Sequence, residues 1–230
     1  MKKGILYGVG VGPGDSELLT LKALRVLQNA DIIAVPDKGS GTKTALAIVK
    51  QFVEGKELLF CPTPMIRDRA KLEQGYTEIA DRLCTLLDAG KTVAFITLGD
   101  PTIYSTYMYI HQKVAARGYD AVLVPGVPSF CAAAARLGVP LCEGAQRLLI
   151  VPAGSPLRDA MDITANKVYM KAGRGILELQ DRLRQAGKLE GASLVANCTM
   201  EGEEVWPRFG DMTQPTGYYS LVISREEDCQ

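Results

Sequence analysis

The 230-residue chain has little of the material from which metal and nucleic-acid sites are built. It contains one histidine, His111, and its six cysteines include no Cys-x-x-Cys pair, which leaves almost nothing for a Cys/His metal site. Lys+Arg and Asp+Glu both number 26, and this balance argues against a general nucleic-acid binder, which needs a basic excess. No apolar run approaches the roughly 20 residues of a membrane span, and the glycine-broken amino terminus does not resemble a signal peptide. These absences predict a cytoplasmic protein with no metal, membrane or nucleic-acid partner.

What is present predicts an α/β fold of two domains. Hydrophobic residues make up 47% of the chain and charged residues 23%, as in ordinary globular proteins. In the first half, apolar runs at 5–11, 31–35, 57–60, 92–98 and 121–124 alternate with helical patterns at 16–29, 42–52, 67–89 and 106–117. In the second half, helices are predicted at 129–137 and 176–186, with strands at 147–151, 167–170, 193–196 and 218–224. The segment Pro125–Pro128 interrupts the chain, so we predict domains 1–124 and 125–230, the second with a mixed sheet.

A glycine-rich loop follows the first predicted strand. Its sequence is Gly8-x-Gly10-x-Gly12-Pro13-Gly14-Asp15, in which Pro13 stands where a dinucleotide fingerprint needs its third glycine. The Gly-Lys-Ser/Thr of a Walker loop is also missing, and the Asp15 carboxylate would repel phosphate. The loop therefore predicts close backbone approach to a neutral or cationic ligand rather than to an anion. Asp15 or Ser16 is the predicted N-cap of the following helix.

A second loop, Thr97-Leu98-Gly99-Asp100-Pro101-Thr102-Ile103-Tyr104-Ser105, follows the most apolar strand. Ligands of open α/β sheets bind at the carboxyl ends of strands, so this loop is the second candidate ligand contact. Gly99 permits close approach to the backbone, and Asp100 can accept hydrogen bonds from an ammonium group or from hydroxyls. Taken alone, however, Gly-Asp-Pro is a common turn.

Three motifs together are more specific. GVGVGPGD, TLGDPTIYSTY and VPGVPSFCAAAARLGVPL occur in this order, and together they closely resemble the tetrapyrrole (corrin/porphyrin) methylase family. The resemblance covers nearly the whole chain, including VYMKAG at 168–173 and YYSLVISRE at 218–226. Within the family, TLGDPTIYSTYMYI is most similar to the members of cobalamin biosynthesis that methylate C20 of precorrin-2 or cobalt-factor II.

The resemblance implies a homodimer whose protomers have two α/β domains, with the ligand cleft between them. It implies S-adenosyl-L-methionine as methyl donor, S-adenosyl-L-homocysteine as product, and a small tetrapyrrole as substrate. The family pattern implies donor contacts by nine residues of this chain: Pro13, Leu98, Gly99, Asp100, Ile103, Pro128, Ser129, Met170 and Cys198. Pro128 departs from the hydroxyl-bearing residue of the pattern, and Cys198 stands where many relatives have glycine.

Methyl transfer from a sulfonium to carbon is an in-line displacement, so it needs alignment more than a nucleophilic side chain or a metal. A base can assist the later proton loss, and Asp100, Tyr104 and Tyr107 are candidates by location only. The carboxylates on the substrate's rim require cationic anchors. The candidate anchors are Arg67, Arg69, Lys171 and Arg174.

Three alternatives share some of these features. Another enzyme of the same fold would methylate a different corrin position or act in diphthine synthesis. A regulator that retains the donor pocket would bind S-adenosylmethionine without turnover. A nucleotide-dependent dehydrogenase fails on the missing dinucleotide fingerprint.

Overall fold

The computed structural model describes residues 3–39, 43–64, 66, 68–152, 155 and 160–226, with only the backbone described for Arg174. The chain divides into two compact units, one ending at Pro128 and the other beginning at Ser129. Each unit has a five-stranded sheet accompanied by helices, so the predicted α/β class is confirmed. Among the described residues, no helix is both long enough and apolar enough to cross a bilayer.

The N-terminal unit is built on a parallel sheet. Its strands are β1 (Leu6–Gly10), β2 (Ile32–Asp37), β3 (Glu57–Pro62), β4 (Val93–Thr97) and β5 (Ala121–Val124). They lie in the order β3-β2-β4-β1-β5, and every described pairing among them is parallel. Because parallel strands end at one edge, the loops after β1, β4 and β5 emerge side by side.

Four helices cover the two faces of this sheet: α1 (Leu21–Asn29), α2 (Thr44–Val49), α3 (Arg69–Asp88) and α4 (Tyr107–Ala115). Alternate residues of each strand point to opposite faces. Phe95 of β4 packs in the core cluster that contains residues of α3 and α4, whereas its neighbour Ile96 packs with residues of α1 and α2. Burial on both faces explains why β4 is apolar from Val93 to Ile96.

Two local predictions were wrong in this unit. The predicted helix over 16–29 is broken: Ser16–Leu18 forms a 3-10 turn, and α1 begins only at Leu21 because the Thr20 hydroxyl accepts from Ala23 N at 3.1 Å. Asp15 caps the short turn instead, through Glu17 N. The second strand, predicted over 31–35, continues through Pro36 to Asp37. Beyond Ala34 the described pairing of β2 is with β3 alone, and a strand with one neighbour tolerates a residue without an N–H.

The C-terminal unit has a mixed sheet. Its elements are α5 (Ser129–Leu137), β6 (Leu148–Pro152), β7 (Asn166–Met170), α6 (Ile176–Gln185), β8 (Ala192–Ala196), β9 (Glu204–Trp206) and β10 (Ser220–Ser224). The strands lie in the order β6-β7-β10-β8-β9, parallel between β6 and β7 and antiparallel elsewhere. Strand β9 was not predicted, since three residues carry no periodic signal.

A buried charge fixes the end of the described chain to this sheet. Lys167 of β7 is 1% exposed, and its ammonium donates to Ala165 O and to Glu226 Oε1, both at 2.8 Å. The ammonium of Lys188 donates to the same carboxylate oxygen at 2.7 Å. Glu226 N donates in turn to Asn166 Oδ1 at 2.9 Å. Glu226 therefore compensates a charge that would otherwise be costly to bury.

Candidate functional site

The loops after β1, β4 and β5 meet through the main chain of glycines. Gly99 N donates to Gly12 O at 2.7 Å, and Gly12 N donates to Gly99 O at 3.3 Å. A Cβ at Gly10 would lie 2.6 Å from both Gly99 O and Gly126 N. The sequence predicted that a ligand approaches the backbone of the glycine-rich loop closely. At Gly10, the group that approaches closely is the protein's own main chain.

Asp100 fastens two of these loops together. Its Oδ1 accepts from Thr102 N at 2.8 Å and from the Thr102 hydroxyl, and its Oδ2 accepts from Gly126 N at 3.0 Å. The residue is 9% exposed. Because both carboxylate oxygens already accept hydrogen bonds from the chain, the geometry gives Asp100 a positioning role and argues against its candidacy as a base. Its contact with a donor stays a prediction.

The two candidate tyrosines differ in exposure. Tyr107 is 1% exposed and packs on Phe95 with ring centroids 5.1 Å apart, and a Cβ at Gly8 would overlap its ring. Its hydroxyl bonds His111 Nδ1 at 3.2 Å, and burial raises its pKa well above the usual value. Its burial argues against a catalytic role for Tyr107, because a base has to reach the reacting atoms. Tyr104 is 49% exposed with φ 46°, an uncommon backbone for a bulky residue, and its candidacy stays a prediction.

The N-terminal donor candidates lie at this one sheet edge. Pro13 is buried and follows Gly12, while Leu98 and Ile103 are half-buried on either side of the Gly99-Asp100 pair. Pro128 follows Gly126 by two residues and is also half-buried. The structure thus brings the predicted residues of three separate loops into one neighbourhood through the carboxylate of Asp100 and the glycine contacts.

Two of the C-terminal candidates lie at one edge of their sheet. Met170 ends β7 opposite Leu221, and Ala196 ends β8 opposite Ser220, the preceding residue of β10. Cys198 follows β8 by two residues and is 4% exposed. Ser129 is the first residue of α5. Three residues at this edge adopt a left-handed backbone without being glycine: Lys171 (φ 59°), Asn197 (φ 50°) and Thr199 (φ 62°).

Sequence reasoning missed Glu203. Its Oε2 accepts from Thr199 N at 2.7 Å, and its Oε1 accepts from the guanidinium of Arg136 in α5. Partial burial would raise the pKa of Glu203, but the bonds from Thr199 and Arg136 outweigh it and hold this pKa below the usual value. No local pattern could have revealed the pairing, because Arg136 and Glu203 are 67 positions apart.

Comparison with known proteins decides the family. The model of the Tetrapyrrole (Corrin/Porphyrin) Methylases matches residues 5–212. The chain belongs to the tetrapyrrole methylase family. This confirms the resemblance that was seen in the three sequence motifs.

Two relatives within the tetrapyrrole methylase family are similar over most of the chain. The cobalt-precorrin-2 C(20)-methyltransferase of Salmonella typhimurium is 33% identical over 97% of each chain. A probable cobalt-precorrin-2 C(20)-methyltransferase of Methanocaldococcus jannaschii is 43% identical over 87% of this chain and 85% of the relative. Their names agree with the prediction of C20 made from TLGDPTIYSTYMYI.

Solved structures confirm the tetrapyrrole-methylase fold. A cobalt precorrin-4 methyltransferase superposes with a TM-score of 0.73 at 20% identity, over 95% of this chain and 93% of the other. The uroporphyrin-III C-methyltransferase of Thermus thermophilus, complexed with S-adenyl homocysteine, has a TM-score of 0.70 at 20% identity, over 96% of this chain and 97% of the other. At this identity the likeness concerns the fold alone.

The predicted substrate anchors are spread over both units. Arg67 lies outside the described residues, and Arg69 is the exposed first residue of α3, after the N-cap Asp68. Lys171 directly follows β7 and is half-buried. Arg174 lies in the 3-10 turn Gly173–Gly175, and its side chain is not described. All four remain predictions as tetrapyrrole-carboxylate ligands.

The residues present fit the methyl donor of this family. The donor is a cationic, phosphate-free nucleoside, and none of the nine predicted donor residues is a lysine or an arginine that would repel it. In the N-terminal unit, the half-buried Leu98 and Ile103 offer apolar surface suited to a purine. The two sulfur-bearing candidates of the C-terminal unit, Met170 and Cys198, are buried. Within the described ranges, no group of three or more His, Cys, Asp and Glu side chains could hold a metal ion.

Proposed function

We propose that this chain methylates C20 of precorrin-2 or cobalt-factor II in cobalamin biosynthesis, with S-adenosyl-L-methionine as donor. The observation that carries the proposal is the similarity, over most of the chain, to two relatives that are named for C20 methylation of cobalt-precorrin-2. A third relative, the precorrin-2 C(20)-methyltransferase of Sinorhizobium sp, is 31% identical over 96% of this chain and 94% of its own length. Together the three names cover substrates with and without cobalt.

In this proposal the chain's contribution is to hold the reactants in line. When bound, the donor supplies an activated methyl group on a sulfonium sulfur. The 98–103 loop presents main-chain groups next to apolar side chains, and the glycine contacts with Asp100 keep that loop rigid. Rigid positioning at van der Waals distance can supply much of the rate acceleration of such a displacement. The complex of the Thermus thermophilus structure with S-adenyl homocysteine supports the choice of donor.

The proposal extends to assembly and location. We infer a homodimer, because the family resemblance implies one. We also propose that the protein is located in the cytoplasm. The formal net charge of zero supports a small tetrapyrrole as the substrate rather than a nucleic acid.

The test is incubation of the purified chain with S-adenosylmethionine and precorrin-2, with and without inserted cobalt. We expect a product heavier by one methyl group, and a carbon-13 methyl donor will place that group at C20 by NMR. The matched control replaces the donor with S-adenosylhomocysteine. Methylation at another ring position, or no product from either substrate, would overturn the assignment to C20.

The substrate anchors have a test of their own. Lys171→Asn removes the charge and suits the left-handed backbone at this position, where asparagine is tolerated. We expect it to raise the KM for the tetrapyrrole several-fold and leave the Kd for S-adenosylmethionine unchanged. Arg69→Gln is the corresponding change in the N-terminal unit. Unchanged kinetics would remove the substituted residue from the substrate site.

A further inference from the structure

The loop after β8 is strained around one buried residue. Asn197 and Thr199 have φ values of 50° and 62°, and they flank Cys198, which is 4% exposed. Asparagine visits this region at little cost, but for β-branched threonine it is an outlier. Such strain persists only where the surroundings enforce it, and it concentrates at functional sites.

Several hydrogen bonds enforce the strained backbone. Asn197 N donates to Tyr219 O at 3.0 Å, Met200 N donates to Asn197 O at 2.8 Å, and Asn197 Nδ2 donates to Gly202 O at 3.0 Å. These bonds hold the asparagine side of the loop. On the threonine side, Thr199 N donates to Glu203 Oε2 at 2.7 Å.

Glu203 is itself held in place from another element. Its side chain is 19% exposed, and its second oxygen pairs with Arg136 of α5. An ionised acceptor makes a stronger hydrogen bond than a neutral one. The Thr199 N–H is therefore restrained by a carboxylate whose other oxygen is held by Arg136. Glu203 thereby links the loop after β8 to a helix.

We propose that Glu203 is a positioning residue for the methyl donor: through the Thr199 N–H it keeps the strained backbone on either side of Cys198 in the conformation that contacts the donor. The inference rests on the proposed function, because Cys198 is a predicted donor contact. The loop lies at the sheet edge that also carries Met170. A preformed loop adds no ordering cost to binding. Without its anchor, the loop relaxes, and binding has to restore the strain.

The experiment measures S-adenosylmethionine binding to the full chain by titration calorimetry. Glu203→Ala should raise the Kd about tenfold, whereas Glu203→Gln, which keeps an acceptor oxygen, should stay within about threefold of the parent. The matched control is Glu178→Ala, which removes another glutamate–arginine pair of this unit, the one with Arg182 at 2.8 Å on α6. It should leave the Kd unchanged.

A second substitution separates positioning from general support. Glycine adopts a positive φ without strain, so adding Thr199→Gly to Glu203→Ala should return the Kd to within about threefold of the parent. A glutamate that merely stabilises the unit would not be rescued in this way, since glycine makes the loop more flexible. An unchanged Kd in Glu203→Ala, or a double variant as weak as the single one, would overturn the inference.

Two further outcomes are separable. If Glu203→Ala does not yield folded protein, Arg136→Ala decides: a Kd raised several-fold and restored by Thr199→Gly supports the inference, and an unchanged Kd overturns it. A parent chain that binds no S-adenosylmethionine overturns the proposed function. A parent that binds with an affinity insensitive to position 203 overturns this inference alone.

Discussion

In the N-terminal unit, the loops after β1, β4 and β5 are joined by the main chain of Gly10, Gly99 and Gly126, whereas the C-terminal unit joins its segments through charged side chains. Glu203 ties the loop after β8 to α5, and Glu226 ties the end of the described chain to β7. Contacts between glycines depend on the absence of a Cβ atom, and their strength does not change with pH. Ion pairs depend on ionisation. The loops after β1, β4 and β5 are thus held by steric fit together with the Asp100 carboxylate, whereas the loop after β8 and the end of the described chain are held by ion pairs.

The largest expected effect tests the steric side of this comparison. In Gly126→Ala the new Cβ would lie 2.7 Å from the main-chain carbon of Gly10 and would also overlap Gly99 O. We expect the free energy of unfolding, measured in urea, to fall by at least about 3 kcal/mol. Gly75→Ala is the control, because Gly75 lies inside α3 with open space around it. This variant should raise the free energy of unfolding by up to about 1 kcal/mol. A Gly126→Ala protein as stable as the parent would show that close backbone contact does not hold these loops.

The next effect tests the electrostatic side. Glu226→Ala leaves the ammonium of Lys167, which is 1% exposed, without its carboxylate. Breaking one partner of a buried pair should lower the free energy of unfolding by about 3 kcal/mol. Adding Lys167→Met removes the buried charge, so the double variant should recover most of this loss. A single variant no less stable than Glu178→Ala would contradict the role given to Glu226.

Acid should act on the electrostatic side first. Burial would raise the pKa of Glu226, but the hydrogen bonds from Lys167 and Lys188 outweigh it and lower this pKa. The stability that Glu226 contributes is therefore fully present above about pH 4.3, which is the pKa of an unfolded glutamate. It is lost as the pH falls through the lower pKa that Glu226 has in the folded protein. Trp206, the chain's one tryptophan, lies in β9 and reports on the C-terminal unit by fluorescence. Its acid transition should be steeper in the parent than in Glu226→Gln; coincident curves would argue against this linkage.

The smallest expected effects come from changing which residue type occupies a left-handed backbone position in each unit. Thr199→Gly relieves the strain at φ 62° but loosens the unfolded chain, so the free energy of unfolding should rise by no more than about 1 kcal/mol. The reverse change, Gly12→Ala at φ 77°, should lower it by about 1 kcal/mol, because its Cβ would come no closer than 3.4 Å to a neighbour and only the backbone suffers. If Thr199→Gly destabilises the chain by as much as Gly12→Ala, the backbone at 199 is not strained.

The same contrast explains which features could be predicted from sequence. The bounds of β5 and α5 were predicted to the residue, because punctuation by Gly118 and by Pro125–Pro128 delimits them. The break at Leu19-Thr20 in the predicted first helix was missed, since apolar spacing continues through it and only the Thr20 cap marks the true start. The loop after β4 was recognised by its glycine. The loop after β8 was recognised only through the family resemblance, because one asparagine is a weak signal for a left-handed backbone and threonine disfavours it.

The sequence by itself determined the α/β class and the family, and it predicted the loops that contact the ligand, because periodicity, glycine and proline act locally and motif order is visible without coordinates. Only the tertiary structure decided what individual side chains do. Tyr107 is packed in the core, and the two carboxylate oxygens of Asp100 accept hydrogen bonds from Thr102 and Gly126. Glu203 accepts a hydrogen bond from the strained loop after β8. The reason is distance along the chain: Asp100 and Gly126 are 26 positions apart and Arg136 and Glu203 are 67 apart, so their hydrogen bonds exist only once the strands and helices have packed.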